Sequence, residues 1–254
     1  MRQSLSFHRL RNASVAQRIV AATGLAPPAL VYEFGAGDGL LTVALAPQAG
    51  RVVAIEVDRD LHQRLSRRVS SISNVSVVHA DFRDVAQPPS ACYAVVANLP
   101  FSLTAETLRH VTGASNPPES TFLVVQREVA AVWTGSGRST VAATLAQLRF
   151  SFDVPLALRR RDFEPWPRVE SVVLAIHKRA TPLLPRAGER LFAEFVRRAF
   201  MGGRPTLERN LGSAYGGRRL RDVMGDAEIA PGAAPSSLSI GQWLRLWRAL
   251  QSPG

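Results

Sequence analysis

The stretch Leu30-Val31-Tyr32-Glu33-Phe34-Gly35-Ala36-Gly37-Asp38-Gly39 decides the fold, because a short apolar strand runs directly into a turn with three glycines. The apolar residues 40–45 that follow predict a helix. A strand, a glycine turn and a helix in this order are typical of an α/β domain in which the backbone of the turn can approach a ligand closely. We therefore expect a ligand site at this turn.

Six further apolar runs predict the rest of a seven-stranded sheet. These runs cover residues 51–57, 75–79, 95–97, 121–125, 152–158 and 171–176. Helices are predicted at 61–69, from about 104, and at 128–133, and this alternation of strands and helices is typical of a parallel, doubly wound sheet. Residues 159–167, which join the last two strands, are too few and too proline-rich for a crossover helix, so we expect that pair to be antiparallel.

A proline-rich break after Arg179 predicts a domain boundary. The residues before Asn12 are basic, and apolar positions at helical spacing follow them. Beyond the break, amphipathic runs at 191–200 and 243–250 predict helices. We predict a catalytic α/β domain at residues 1–180, of which 1–12 form a basic arm, and a small all-helical domain at residues 181–254.

The chain is strongly basic, with 31 Lys and Arg against 20 Asp and Glu, a net charge of +11 and a pI of about 11.3. This excess predicts a polyanionic partner, although charge alone does not separate RNA, DNA and membrane. Because no apolar run reaches membrane-spanning length and no signal peptide is recognisable, we expect a cytoplasmic protein without a membrane partner. The single cysteine, Cys92, excludes an intrachain disulfide and a Cys-rich zinc site, and we expect no metal.

The spacing of the glycines discriminates among ligands. The glycines of Gly35-x-Gly37-x-Gly39 are more closely spaced than those in the G-x-G-x-x-G pattern of dinucleotide sites, and the carboxylate of the preceding Glu33 would repel a pyrophosphate. S-adenosylmethionine (SAM) has no phosphate and carries a sulfonium and an ammonium, which nearby carboxylates favour. Glu56, at the end of the second strand, is the candidate acceptor for the ribose hydroxyls. Asp81, after the third strand, is the candidate partner of the adenine amino group.

The fourth strand ends in Asn98-Leu99-Pro100-Phe101, a turn with the chemistry to hold a planar amine. The Asn98 side chain carries both an acceptor and a donor, and Pro100 fixes its own φ and restricts Leu99 to an extended conformation. Phe101 offers a flat face for stacking. An ordinary Asn-Leu-Pro turn at a strand end is the alternative for this tetrapeptide taken alone.

Taken together, the motifs resemble the rRNA adenine methyltransferases of the macrolide-resistance (Erm) and small-subunit dimethyladenosine types. Those that carry the resemblance are Glu33 to Gly39, Glu56-Val57-Asp58, Ala80-Asp81-Phe82, Asn98 to Phe101, Phe163 to Ser171, and Arg204 to Leu207 with Asn210-Leu211. The resemblance implies a Rossmann-like SAM-dependent methyltransferase fold with a helical C-terminal domain that binds RNA. It also implies that Gly35, Gly37, Glu56, Asp81 and Asn98 line the SAM pocket, with the target adenine held by Asn98 to Phe101.

Residues Phe7-His8-Arg9-Leu10 depart from the Gln-Asn-Phe-Leu-like stretch of the family and look similar to a subset of resistance-type enzymes. With the compact length and the short helical C-terminal domain, this favours an enzyme that methylates an adenine in 23S rRNA and thereby confers macrolide-type resistance. We expect the enzyme to be a monomer. Two alternatives stay open. They are a 16S rRNA adenine dimethyltransferase of ribosome biogenesis, and a non-catalytic nucleic-acid-binding protein on the same scaffold.

Seven arginines are the candidate contacts to RNA phosphates, because phosphate neutralisation by Arg and Lys supplies most non-specific affinity for nucleic acids. They are Arg159, Arg160, Arg161, Arg197, Arg198, Arg204 and Arg209.

Overall fold

The computed structural model describes residues 8–27, 29–86, 88, 92–201 and 205–251. Contacts divide the chain into two compact units. The first comprises residues 1–130 and 152–178, and the second comprises residues 131–151 and 179–254.

The first unit is built on a seven-stranded sheet. Nine strands are described: β1 (Arg9–Leu10), β2 (Leu30–Phe34), β3 (Arg51–Glu56), β4 (Val75–His79), β5 (Tyr93–Ala97), β6 (Ser120–Gln126), β7 (Phe150–Leu158), β8 (Phe163–Glu164) and β9 (Ser171–Lys178). The sheet order is β4-β3-β2-β5-β6-β9-β7, and β1 pairs separately with β8. The five strands from β4 to β6 are parallel, whereas β9 runs antiparallel to β6 and to β7. The predicted fold, with its antiparallel last pair, is confirmed.

The helices described in this unit are α1 (Ala13–Thr23), α2 (Leu40–Leu45), α3 (Arg59–Arg68), α4 (Thr104–Gly113) and the first half of α5 (Arg127–Thr134), whose residues 131–134 belong to the second unit. Helix α1 begins where the Asn12 side chain accepts a hydrogen bond from the backbone N–H of Val15 at 3.1 Å. It ends at Gly24, which adopts a left-handed conformation with φ of 63°. Its apolar face, which includes Ile19, packs in the core cluster that also contains sheet residues such as Val31.

The second unit is helical, with α6 (Val141–Ala146), α7 (Arg186–Met201), α8 (Leu207–Tyr215), α9 (Gly217–Asp226) and α10 (Ile240–Gln251). Its core cluster contains Phe192 and Trp243, both with no exposed surface. Residues 131–151 were assigned to the first domain from the sequence, but here they cluster with the second unit. The physical reason is that Leu148 packs in this core, and the guanidinium of Arg149 pairs with the carboxylate of Glu189.

In the part of the chain that the structure describes, no helix combines the length and the apolar character needed to span a bilayer.

Candidate active site

The candidate site residues lie at the carboxyl ends of four neighbouring parallel strands. β2 pairs with β3 on one side and with β5 on the other, and β3 pairs with β4. Because parallel strands end at the same edge of a sheet, the glycine turn after β2, Glu56 at the end of β3, Asp81 after β4 and Asn98 after β5 come to one edge. This is the edge at which open α/β sheets bind their ligands.

The glycine turn has a backbone that side chains rarely adopt. Gly35, Gly37 and Gly39 have φ values of 68°, 57° and 83°. A Cβ atom at Gly35 would also lie 2.4 Å from Cδ2 of Leu99, which belongs to the turn after β5. The glycine spacing seen in the sequence is therefore required both by the backbone conformation and by the close approach of the two turns.

Glu56 is a buried carboxylate whose two oxygens are both held by backbone N–H groups. Its Oε2 accepts from Gly37 N and its Oε1 from Asp58 N, each at 2.8 Å. Its residue surface is 6% exposed. Each carboxylate oxygen can accept more than one hydrogen bond, so this fixed group retains capacity for ligand hydroxyls.

Glu33 lies deeper, within β2, and its exposed fraction is 1%. The hydroxyl of Thr42 donates to its Oε2 at 2.6 Å. Burial raises the pKa of Glu33 to about 8, and the nearby carboxylates of Glu56 and Asp38 act in the same direction. The sequence predicts a carboxylate here that favours a cationic ligand, and the raised pKa of Glu33 favours its protonated form near neutral pH when no cation is close.

Asp81 is in a different environment from the other two carboxylates, because Arg83 pairs with it. Arg83 donates its Nε to Oδ1 at 2.8 Å and its Nη2 to Oδ2, and its Nη1 also contacts Glu106 at 3.0 Å. This pairing lowers the pKa of Asp81. The Asp-x-Arg spacing in the sequence could have indicated the pair.

A cavity of about 320 Å³ opens at this edge. Its walls include Gly35, Glu56, Val57, Asp81, Phe82 and Leu99. A smaller space of about 20 Å³ shares Gly35 and is lined by Glu33, Asp38 and Asn98, together with Arg9 and Leu10 of the N-terminal arm. The larger volume lies within the usual range of small-molecule sites, and most of the residues that line it are apolar.

The turn after β5 brings together Asn98 and the N-terminal arm. The Nδ2 of Asn98 donates to the backbone oxygen of His8 at 3.2 Å, so the side-chain oxygen is the atom left to accept from a ligand. The ring of His8 lies 5.5 Å from that of Phe101, centroid to centroid, at 39°. The Nδ1 of His8 lies 2.8 Å from the carbonyl oxygen of Pro165 and must carry the proton there, since a carbonyl oxygen only accepts.

Sequence reasoning did not assign His8 to this site. The departure at Phe7 to Leu10 was the only signal in the sequence, and it did not indicate a contact with residues 90 positions away. Phe7 itself lies outside the described residues.

Of the predicted RNA contacts, Arg159, Arg160 and Arg161 are exposed on the first unit, and they line one groove there. Arg197, Arg198 and Arg209 are exposed on helices α7 and α8 of the second unit. Arg204 lies outside the described residues.

The family model described as ribosomal RNA adenine dimethylase matches residues 1–252 of this chain. The chain belongs to this family of rRNA adenine methyltransferases.

The proteins similar to this chain include one named for 23S rRNA and others named for the small ribosomal subunit. An rRNA adenine N-6-methyltransferase from Saccharopolyspora erythraea is 31% identical over 95% of the chain, and the chain spans 63% of that relative's length. A ribosomal RNA small subunit methyltransferase A from Synechococcus is 32% identical over 96% of the chain and 91% of the relative. The crystal structure of the 23S rRNA methyltransferase ErmE is 31% identical, with a TM-score of 0.88, and the match covers 96% of this chain and all of that one.

Proposed function

We propose that this methyltransferase transfers the methyl group of SAM to the exocyclic amino group of an adenine in 23S rRNA, and that it thereby confers resistance to macrolide-type antibiotics. The observation that carries the choice of substrate is the match with ErmE, which extends over the whole of that chain with a TM-score of 0.88. The Asn98 to Phe101 turn supports the choice of a planar amine as the acceptor.

The residues at the sheet edge fit SAM. Glu56, fixed by two backbone donors, is positioned to accept the ribose hydroxyls, and Val57 and Leu99 are apolar walls for the adenine ring. The smaller space beside Gly35 suits the cationic end of the ligand, because Asp38 lines it and because an approaching cation would favour the ionised form of Glu33 there. When bound, SAM supplies an electrophilic methyl group activated by the sulfonium charge.

The protein's part of the reaction is to position the nucleophile. An adenine amino nitrogen is a weak nucleophile because its lone pair is delocalised into the ring. The side-chain oxygen of Asn98 and the carbonyl of Leu99 would accept its two protons, which favours a pyramidal nitrogen with the lone pair directed toward the methyl group. Phe101 would stack on the extruded base and offset an unstacking cost of a few kcal/mol.

A second candidate substrate is 16S rRNA, with a role in ribosome biogenesis. The observation that favours it is the 32% identity to the Synechococcus small subunit methyltransferase over 91% of that relative. In both cases we expect the target adenine to lie in a single strand or a loop. A-form duplexes hide the amino group, and extruding a looped base costs less free energy than extruding a paired one.

The test is methylation of protein-free 23S rRNA and of immature small ribosomal subunits with labelled SAM, followed by primer extension to locate the block. We expect label in an adenine of 23S rRNA at the macrolide-binding region, and macrolide protection of a susceptible host that expresses the enzyme. Label in the small subunit with none in 23S rRNA would replace this proposal by the 16S alternative.

Two variants test the turn within the same assay. Asn98→Ala should abolish transfer and also weaken SAM binding, since Asn98 borders both cofactor and base. Phe101→Ala should reduce transfer strongly while leaving SAM affinity much less affected, because the ring faces the base. Near-normal turnover by Phe101→Ala would contradict the stacking role.

A further inference from the structure

A groove on the first unit combines arginines with an exposed tryptophan. Trp166 is 64% exposed, and the groove around it, with a volume of about 750 Å³, is lined also by Arg18, Arg127, Arg159, Arg160 and Arg161. The other three tryptophans of the chain are at least partly buried. A large apolar ring left in water beside several positive charges is the arrangement that single-stranded nucleic acids bind, with bases stacked on the ring and phosphates on the arginines.

Hydrogen bonds hold the backbone of the loop on both sides of Trp166. The carbonyl of Pro165 contacts Nδ1 of His8 at 2.8 Å, and the carbonyl of Pro167 accepts from Nε of Arg160 at 2.7 Å. Just before the loop, β8 pairs with β1 of the N-terminal arm. The two flanking prolines restrict the backbone further. The indole is therefore presented to solvent by a fixed backbone, which lowers the entropy cost of binding to it.

The charges of the groove favour an anion. Arg18 pairs with Asp162 at 3.2 Å and Arg127 with Glu170 at 2.8 Å. In the residues that the structure describes, the exposed side chains of Arg159, Arg160 and Arg161 form no salt bridge. Since the hydrogen bond of Arg160 uses its Nε, its two Nη groups remain directed donors for a phosphate.

The loop that carries Trp166 is linked to the candidate active site by a chain of contacts. Pro165, next to Trp166 in the chain, contacts His8, and the ring of His8 packs against Phe101 while its backbone oxygen accepts from Asn98. A strand whose adenine occupies the Asn98 turn can therefore continue over the arm toward Trp166.

We propose that this groove binds the single-stranded RNA next to the target adenine, with one base stacked on Trp166 and the adjoining phosphates on Arg159 to Arg161. This inference rests on the proposed function for the identity of the RNA, but the surface is tested without catalysis.

The probe is a fluorescent oligocytidylate, which contains no adenine to methylate, alongside the same backbone without bases. Trp166→Ala should weaken oligocytidylate binding about five- to a hundred-fold without changing the salt dependence, and should leave binding of the abasic strand unchanged. Trp166→Phe should recover most of the affinity. Arg161→Gln should weaken both strands and lower the slope of log affinity against log salt by about 0.7. Val154→Ala, another exposed apolar side chain of this unit, is the matched control and should change nothing.

Tryptophan fluorescence gives a second readout on the intact protein. Oligocytidylate should protect wild-type emission from acrylamide quenching, and this protection should be absent from Trp166→Phe. Equal affinities for wild type and Trp166→Ala, or protection by anionic lipid vesicles but not by the RNA, would overturn the proposal. If the variants behave as expected but 23S rRNA is not methylated, the groove stands as an RNA surface and the proposed function fails. If 23S rRNA is methylated but Trp166→Ala binds oligocytidylate and methylates 23S rRNA as well as wild type does, the groove proposal fails and the proposed function stands.

Discussion

The carboxylates beneath the glycine turn and the carboxylate at the rim after β4 occupy similar positions in the sequence but different environments. Glu33 and Glu56 are buried and are held by Thr42 and by backbone N–H groups. Asp81 is more exposed and is paired with Arg83. The difference shows that an acidic residue near the carboxyl end of a strand can be a buried, fixed part of a ligand site or an exposed partner of an ion pair, depending on which groups surround it in the fold.

The largest expected effect concerns the pH dependence of stability, measured without ligand. The pKa of the Glu33 carboxyl is raised from its ordinary value of 4.5 to about 8 in the folded protein. Its contribution to stability is therefore fully present below pH 4.5 and is lost as the pH rises toward 8. Across this pH window the free energy of unfolding of wild type should therefore fall, relative to that of Glu33→Gln, by up to about 1.4 kcal/mol per pH unit. Chemical denaturation at several pH values measures the difference.

Asp81→Asn is the matched control for that experiment. Because Arg83 lowers the pKa of Asp81, its contribution is present above the ordinary value of 3.8 and is lost only as pH falls below it. Between about pH 5 and pH 8, above the range in which Asp81 titrates, the free energy of unfolding of Asp81→Asn should therefore change with pH in parallel with that of wild type. Parallel curves for wild type and Glu33→Gln would show that Glu33 is ionised in the folded protein.

The second effect is on cofactor affinity. Glu56→Ala should weaken SAM binding about ten- to a hundred-fold, since a charge-assisted hydrogen bond contributes roughly 1.5 to 3 kcal/mol. Calorimetry measures it, and Glu56→Gln, which keeps an acceptor for Gly37 N, separates the lost ligand contact from a disturbed turn. Unchanged affinity in both variants would remove Glu56 from the pocket, and no binding by wild type would contradict the proposed enzymatic function.

The fold and the sheet edge were predictable because they depend on local patterns. The apolar runs and the Gly35 to Gly39 spacing indicated the strands and the turn, and parallel pairing then brought Glu56, Asp81 and Asn98 together. The partners that distinguish the site were not predicted. Thr42 reaches Glu33 from the next helix, and His8 reaches Phe101 because β1 pairs with β8, more than 150 residues along the chain. Such contacts depend on tertiary packing, which periodicity does not encode.

A third and smaller effect concerns the close approach of the two turns. Gly35→Ala should weaken SAM binding several-fold, because its Cβ would displace Leu99 from the wall of the cavity. Gly24→Ala is the control, since Gly24 has a similar φ of 63° and a Cβ added there would meet nothing within 4 Å. Both variants should lose about 1 kcal/mol of stability from the left-handed backbone, but only Gly35→Ala should lose SAM affinity. Equal SAM affinity in the two variants would show that Leu99 does not form a wall of the cofactor site.

The smallest effect is expected at the rim. Asp81→Asn alone should lower SAM affinity less than about five-fold, because Arg83 already donates to both oxygens of Asp81 and exposed ion pairs contribute little. Arg83 has a second partner in Glu106, so it can release Asp81 when the adenine amino group of SAM binds there. In Arg83→Gln the carboxylate of Asp81 loses its guanidinium partner and keeps only the hydrogen bond from the backbone N–H at position 83, at 3.0 Å. SAM affinity should therefore rise slightly, and the loss of affinity caused by Asp81→Asn should be larger in this background. Calorimetry of the four proteins in a double-mutant cycle measures this coupling. A large loss in Asp81→Asn with Arg83 present would place Asp81 beside Glu56 as a fixed ligand group and remove the contrast between the two regions.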